Sequence, residues 1–436
     1  MIQIKHPKGL VIAAPNSNTG KTVFTVGLVA ALNARGVQTQ VAKAGPGFID
    51  PQFLSLATGS PCHNLDKWAL GSDQLRARAN AVASGADLLI VEGVMGMFDG
   101  AASMEASTAD IAETLDLPVI LVVDASGQAQ SIAALVHGFS TFRRSPKVCG
   151  VVATRVGSPG HAALLKEALA DLDIPFLGAI LRSDDLTIPS RHLGLVQASE
   201  QNAPRHLVDA ASEAVSAGVD LDMLIDLAGS VQKSPPPRPL PPLGQRIAIA
   251  RDIAFAFAYP HLLDDWRTQR AELSFFSPLA DQAPSEDCDA VYLPGGYPEL
   301  HCETLAKADR FLQGLRSAAG RGALIYGECG GYMVLGQGLI DADGRHHRMA
   351  GLLSHAASFE TRRMCLGYRS MTPLTDDVWA RTLRGHEFHY STLSEPGSDD
   401  PLFHLTDARC IDLGNAGGHR NNVMGSYAHI IDQTPL

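Results

Sequence analysis

The 436-residue sequence contains no C-x-x-C pair, although it holds seven cysteines: Cys62, Cys149, Cys288, Cys302, Cys329, Cys365 and Cys410. Without paired spacing, neither a disulfide framework nor a zinc site is indicated, and the usage fits a reducing compartment. The sequence also lacks any apolar run near the ~20 residues that a membrane helix needs. Its start, MIQIKHPKGLVIAAP, carries no apolar stretch ahead of a small-residue cleavage site. A cytoplasmic protein with no membrane partner is therefore expected. Dense Lys/Arg blocks are missing too: 46 acidic residues outnumber 35 basic ones, for a net charge of -11. Binding a phosphate backbone needs the opposite balance, so no nucleic acid partner is expected. No fixed-period repeat is visible.

The length exceeds one ordinary core and favours two units, each able to bury its own apolar centre. The clearest break is Lys233–Gly244, KSPPPRPLPPLG, where successive prolines remove backbone donors and favour an extended, stiff spacer. That places one domain at 1–232, a linker at 233–244 and a second domain at 245–436. In the first, the apolar runs LVIAAP, VQTQVAKAG, DLLIVEG, PVILVVDAS and VCGVVATRV alternate with helical patterns. The segment from His206 to Gly229 reads as helices that close this domain by packing. After the linker the rhythm resumes with RIAIARD, ELSFFSP, DAVYLPGG and ALIYGECGG. The expected fold class is α/β, with two domains that each have a mainly parallel sheet covered by helices.

The first candidate site follows the strand at Leu10–Ala14. Pro15-Asn16-Ser17-Asn18-Thr19-Gly20-Lys21-Thr22 leads into a helix with apolar residues at Val23, Val26, Leu28 and Leu32. Strand, loop and helix are the setting a phosphate loop needs. Backbone N–H groups and the helix start would wrap phosphates, Lys21 would neutralise the outer ones, and the Thr22 hydroxyl would ligate Mg²⁺. Pro15 stands where G-x-x-x-x-G-K-[ST] has its first glycine. Downstream, Glu92 ends the buried run DLLIVEG, and ligands of open parallel sheets gather at the carboxyl ends of strands. Glu92 is thus a candidate Mg²⁺ partner, beside its reading as a solvated loop acid. Gly93, Gly96 and Gly100 would let backbone approach a ligand, and Asp99 would bind metal or form a turn.

The second candidate site is ALIYGECGGYMVLG, where Cys329 follows an apolar strand among Gly327, Gly330 and Gly331. Small neighbours permit a sharp strand-to-helix turn that presents a nucleophile. The helix start would favour a thiolate, and the Gly330 N–H would face an oxyanion. Gly295 and Gly296, in PGGYPE, could supply the second donor. The base must come from elsewhere in the chain; His429 in GSYAHII, at the end of a short apolar strand, is the choice. His386 and His389 lack the i, i+4 spacing of H-E-x-x-H, so no zinc site is assigned there, and His346 and His347 read as a solvated loop.

Taken in order, AP-x-S-x-x-GKT, KAGPGFIDPQF, NLDKWAL, VEGVMGMFDG, SRHLGLVQA, LPGGYPE, YGECGGYM, LGYR and RGHEFHYS resemble the a,c-diamide synthases of corrinoid biosynthesis over nearly the whole chain. The resemblance implies a dethiobiotin-synthetase-like domain followed by a class I-type glutamine amidotransferase domain, joined by an ammonia path. ATP, with Mg²⁺ held by Thr22, Glu92 and Asp50, would phosphorylate an acetate carboxylate of the corrinoid ring. Cys329 would release ammonia from glutamine through a thioester, and the ammonia would displace phosphate, first at one and then at the other of the a and c acetates. SRHLGLVQA and GLLSHAASFETRRMCLGYR look closest to enzymes acting on the metal-free ring, hydrogenobyrinate; cobalt-containing cobyrinate is the alternative substrate. A homodimer is compatible with this reading.

Two departures stand out. Gly47 replaces the first acidic residue of the family's GPDYIDP-like segment, leaving Asp50 alone. Ile431 occupies the H-x-E position after His429, and a continuing strand would turn Asp432 the other way, so a Cys329–His429 dyad is assigned with the third role open. Competing readings are a cobyric-acid-type synthase, which amidates other side chains, and a nucleotide switch of the partitioning-ATPase kind. The switch explains Lys21 and Thr22 but gives no reason for Cys329.

Overall fold

Strands buried on both faces need near-continuous apolar runs, whereas half-buried strands alternate. Both kinds are present in the computed structural model, which describes residues 7–103, 105–188, 190–191, 194–195, 204–375 and 378–434. The chain divides into two units between Arg238 and Pro239, inside the proline-rich stretch. That stretch does not stand free in solvent. Gln74 exchanges two hydrogen bonds with the Arg238 backbone, while the Leu240 N–H donates to Asp265 at 2.9 Å and Leu240 itself is buried.

The first unit is a parallel sheet with strands β1 (Lys8–Ala13), β2 (Thr39–Ala44), β3 (His63–Leu65), β4 (Leu88–Glu92), β5 (Val119–Asp124), β6 (Val148–Val156) and β7 (Phe176–Leu181). Their order is β3-β2-β4-β1-β5-β6-β7, with the short Gly229–Ser230 strand antiparallel on β1. Helix α1 (Lys21–Ala34) follows β1, and α2 (Asp50–Thr58) and α3 (Lys67–Ala83) flank β3 in sequence. Because β1 lies between β4 and β5, the loop after β1 opens beside the end of β4. Lys43 on β2 is in register with Glu92 on β4, so the two side chains share a face. The helices Pro204–Gly218 and Leu221–Asp226 pack on this unit, burying Leu207, Ala211, Val215 and Leu224.

The second unit has a six-stranded sheet. Its order is Glu272–Phe276, Arg246–Ala250, Ala290–Leu293, Leu324–Glu328, Val423–Ser426 and Gly418–Arg420. The first five strands are parallel and the last is antiparallel. Three neighbours in the middle each deliver a candidate element at their carboxyl ends: the Gly295–Gly296 loop, Cys329 and His429. This unit also contains a five-stranded antiparallel sheet, which includes Cys365–Pro373, Leu383–His389 and His429–Gln433, and a separate four-stranded sheet. A mainly parallel sheet describes only the centre of this half. The added strands, such as Leu383–His389 with its strict alternation of buried and half-buried positions, lack continuous apolar runs. No described helix is long and apolar enough to cross a membrane.

Candidate active sites of the two units

Between β1 and α1 the backbone turns left-handed at Asn18 (φ 62°) and at Gly20 (φ 81°), which caps α1. Alternating handedness of this kind aims successive N–H groups into one hollow suited to anions. Lys21 begins the helix, is buried, and donates to the Met95 carbonyl at 3.0 Å. Burial, reinforced by the nearby Lys43 charge, lowers its pKa to about 8. The Thr22 hydroxyl donates to Glu92 Oε1 at 2.9 Å. The loop after β4 is laced to β1 by Gly93 N–H to the Ile12 carbonyl and Met97 N–H to the Ala14 carbonyl. Gly96 lies so close to the Pro15 carbonyl that a Cβ there would meet it. These glycines therefore bring the chain against itself rather than against a ligand, and Asp99 accepts from the Gly96 N–H as a turn residue.

Glu92 is fully buried at the base of this hollow. Lys43, 3 % exposed, is paired with it at 2.7 Å and with Asp50, the first residue of α2, at 2.6 Å. Burial alone would lower the Lys43 pKa, but the Asp50 and Glu92 charges outweigh it and push the ammonium far up. Glu92 Oε2 is buried with no hydrogen-bond partner among the described residues. Mg²⁺ takes hard oxygen ligands and keeps several waters, so Thr22 and Glu92 fit that ion. Asp50 is engaged differently from the expectation, because its carboxylate is directed at Lys43. No atom lies within 4 Å of where a Cβ on Gly47 would point, so the missing acid of that segment is matched by open space. Asn64, in NLDKWAL, holds this loop by donating to the Gly45 and Gly47 carbonyls, and Asp66 caps α3. The SRHLGLVQA segment, Ser190–Ala198, lies for the most part outside the described residues.

In the second unit Cys329 sits at the bend between the strand Leu324–Glu328 and the helix Gly330–Leu335, with φ 48° and ψ -105°. A non-glycine residue in that region is strained, and such strain concentrates at functional sites. Surrounding contacts enforce the bend: the Cys329 N–H donates to the Ser426 carbonyl at 2.8 Å. A Cβ on Gly331 would collide with the Leu293 carbonyl, so only glycine fits there. Gly295 is the meeting point of the site. A Cβ on it would strike the His429 ring and come within 3.2 Å of Cys329 Cβ. Gly296 N lies 3.1 Å from where a Cβ on Gly330 would stand, so the two expected oxyanion donors are neighbours.

Cys329 is 4 % exposed, and burial, followed by the Glu299 charge, raises the thiol pKa despite the Gly330 N–H directed at the sulfur. Burial and the nearby acids therefore act against the helix start, which by itself favours a thiolate. The helix has six residues, and its field does not offset the burial and the acids nearby. His429 starts its strand rather than ending one, and is buried. Its Nδ1 faces Glu328 Oε2 at 3.6 Å, while its Nε2 side faces Gly295.

Across the pair lies His386, in register with His429; burial, with His429 and Arg369 adding to it, lowers its pKa to about 3. The next strand positions point to the opposite face. There Glu387 is held by Arg369 at 2.5 Å and His389 at 2.8 Å, with the Cys365 sulfur 3.8 Å from the guanidinium. Burial opposes ionisation of both Glu387 and His389. The hydrogen bonds and charges of the network still move Glu387 down to about 2 and His389 up to about 9. His386 and His389 thus belong to different faces. The Phe388 carbonyl between them is 4.0 Å from the Cys329 sulfur.

Two residues escaped the motif reading. Lys43 lies in KAGPGFIDPQF but reads as an ordinary charge; the signal was its place in the otherwise buried run TQVAKA. Glu328 ends LIYGE as Glu92 ends LLIVE, and that shared position was the clue to its burial.

Both units match known protein families. Residues 10–196 match the CobQ/CobB/MinD/ParA nucleotide binding domain family, and residues 246–435 match the CobB/CobQ-like glutamine amidotransferase domain family. The hydrogenobyrinate a,c-diamide synthase of Rhizobium meliloti (strain 1021) is 49% identical over 424 residues, covering 97% of this chain and 99% of that protein. The enzyme of that name from Sinorhizobium sp is 50% identical over 427 residues, covering 97% of this chain and 98% of its own length. Its counterpart from Rhodobacter capsulatus is 47% identical over 436 residues, covering 98% of this chain and 99% of its own length.

Proposed function

The chain belongs to the hydrogenobyrinate a,c-diamide synthase family, and from that premise we propose that it amidates the a and c acetate carboxylates of hydrogenobyrinate, using ATP and glutamine in the cytoplasm. The observation that carries this reading is one chain holding both a phosphate loop and an elbow thiol, aligned end to end with relatives of that name.

In the first unit a carboxylate oxygen attacks the γ-phosphorus of ATP, ADP leaves, and an acyl phosphate forms. The Asn18–Thr22 backbone holds the phosphates, and Lys21 leaves the Met95 carbonyl to meet the developing charge. Thr22 and Glu92 would hold Mg²⁺, which supplies charge neutralisation between the phosphates. Lys43 pairs with both Glu92 and Asp50 and keeps their carboxylates aligned. In the second unit the Cys329 sulfur attacks the side-chain amide carbon of glutamine while His429 takes the thiol proton. The Gly296 and Gly330 N–H groups stabilise the oxyanion, and Gly295 leaves room for the reacting atoms between sulfur and ring. His429 returns the proton to the departing nitrogen. Ammonia leaves, water then cleaves the thioester to glutamate, and ammonia displaces phosphate from the acyl phosphate. Activation is needed because an unactivated carboxylate offers no usable leaving group at neutral pH.

Mass spectrometry after incubation with ATP, Mg²⁺, glutamine and either hydrogenobyrinate or cobyrinate tests this. Two successive amidations of the metal-free ring are expected. Conversion of cobyrinate alone would reassign the substrate, and conversion of neither would refute the reading.

A further inference from the structure

Glutaminases of the elbow type need something to orient the base and to balance its charge once it holds the thiol proton. In this chain the position two residues after His429 is Ile431, which cannot do so. Building on the Cys329–His429 reading, we infer that Glu328, the residue immediately before the nucleophile, is the third member of the site and acts as a positioning residue through His429.

Glu328 is 1 % exposed and surrounded by donors. The Tyr292 hydroxyl donates to Oε2 at 2.8 Å, while the Tyr326 hydroxyl and the Ile430 N–H donate to Oε1 at 3.2 and 3.1 Å. Burial and the Glu328 charge push both phenols well up, so they remain donors. Held this way, Oε2 faces His429 Nδ1 at 3.6 Å, an ion-pair distance rather than a hydrogen bond. Catalytic contacts of this sort tighten when substrate binds. The Cε1–Nε2 edge of the ring faces Gly295, where a Cβ would also come within 3.2 Å of Cys329 Cβ, so the acid, the imidazole and the elbow adjoin one another.

Adjacent residues of a regular strand point to opposite faces. Glu328 and Cys329 flank the same ring because the chain breaks direction at Cys329, at φ 48°. The strained bend therefore serves both residues. The Ile430 N–H fixes Glu328 from the residue after the base, tying the acid to the strand that carries His429.

The test uses the full-length enzyme in a glutaminase assay with ATP and hydrogenobyrinate present. Glu328→Gln is expected to lower kcat by ~10²–10⁴-fold, with KM for glutamine changed by less than about threefold. Glu328→Asp, which keeps the charge one methylene back, recovers at least about tenfold over Glu328→Gln. Should Glu328→Gln fail to fold, Glu328→Asp carries the test alone, with an expected kcat loss of about tenfold at unchanged KM. Wild-type kcat in whichever variant folds, or parallel losses in kcat and KM with no rescue by Asp, would overturn the inference while leaving the thiol reading intact. A Cys329→Ala variant that still releases ammonia at the wild-type rate would instead overturn the thiol reading, and this inference with it.

Discussion

Each unit ends a central parallel strand with a buried glutamate, LLIVE at Glu92 and LIYGE at Glu328, and the two are used in opposite ways. Glu92 is locked to a permanent cation, Lys43, at 2.7 Å, with Asp50 closing the pair from the other side. Glu328 is held by neutral hydroxyls and one backbone N–H, and its ionisable ring partner stands back at 3.6 Å. The first arrangement suits a site that must hold fixed charge against phosphates and metal. The second suits a site where a proton moves, because a carboxylate fully neutralised by Lys would have little left to offer an imidazolium. Position in the sheet is shared; the partner decides the chemistry.

That contrast can be broken experimentally. The largest effect is expected for Lys21→Ala, which removes the cation proposed to meet the phosphates. Glutamine-dependent amidation should fall by ~10³-fold or more, while glutamine hydrolysis without the corrinoid stays within a few fold of wild type. Equal loss of both activities would contradict the separation of the two chemistries. Next comes Lys43→Met. Removing one partner from a buried ion pair typically costs about 3–5 kcal/mol, so unfolding of the first unit in denaturant should shift by an amount of that order. A shift below about 1 kcal/mol would show that the Glu92–Asp50 pair finds compensation elsewhere.

The smallest effect concerns pH. Lys21 titrates near 8 in the free enzyme because it is buried beside Lys43. Its charged form is present below that pH and is lost as pH rises through it, whereas bound phosphate favours the charged form. ATP affinity, measured by equilibrium binding, should therefore be level below pH 8 and weaken by up to ~10-fold per unit above it. Constant affinity to about pH 9 would mean that Lys21 does not contact the phosphates.

Much of the architecture was legible because both central sheets are built from continuous apolar runs, and both candidate sites sit where such runs meet glycine-flanked loops. The loop at Gly20-Lys21-Thr22 and the bend at Cys329 could be located this way. Lys43 could not, because nothing local distinguishes a buried, paired lysine from a solvated one; its role depends on being in register with Glu92 on a strand 49 residues away. Glu328 was hidden for a similar reason, since its partner comes from the other end of the unit. The choice of His429 rests on its place beside a short apolar strand, but that it starts a strand rather than ends one follows from pairing with His386 in the antiparallel sheet. That sheet, with alternating rather than continuous apolarity, left no run to read.

The proposed division of labour has the Cys329 unit make ammonia and the Lys21 unit consume it. Its most direct test is the product mass spectrum of Cys329→Ala with hydrogenobyrinate, ATP and Mg²⁺, supplied in parallel with glutamine or with an ammonium salt. Diamide is expected from ammonium and none from glutamine; diamide from glutamine, or none from either while wild type forms it from both, would overturn that division.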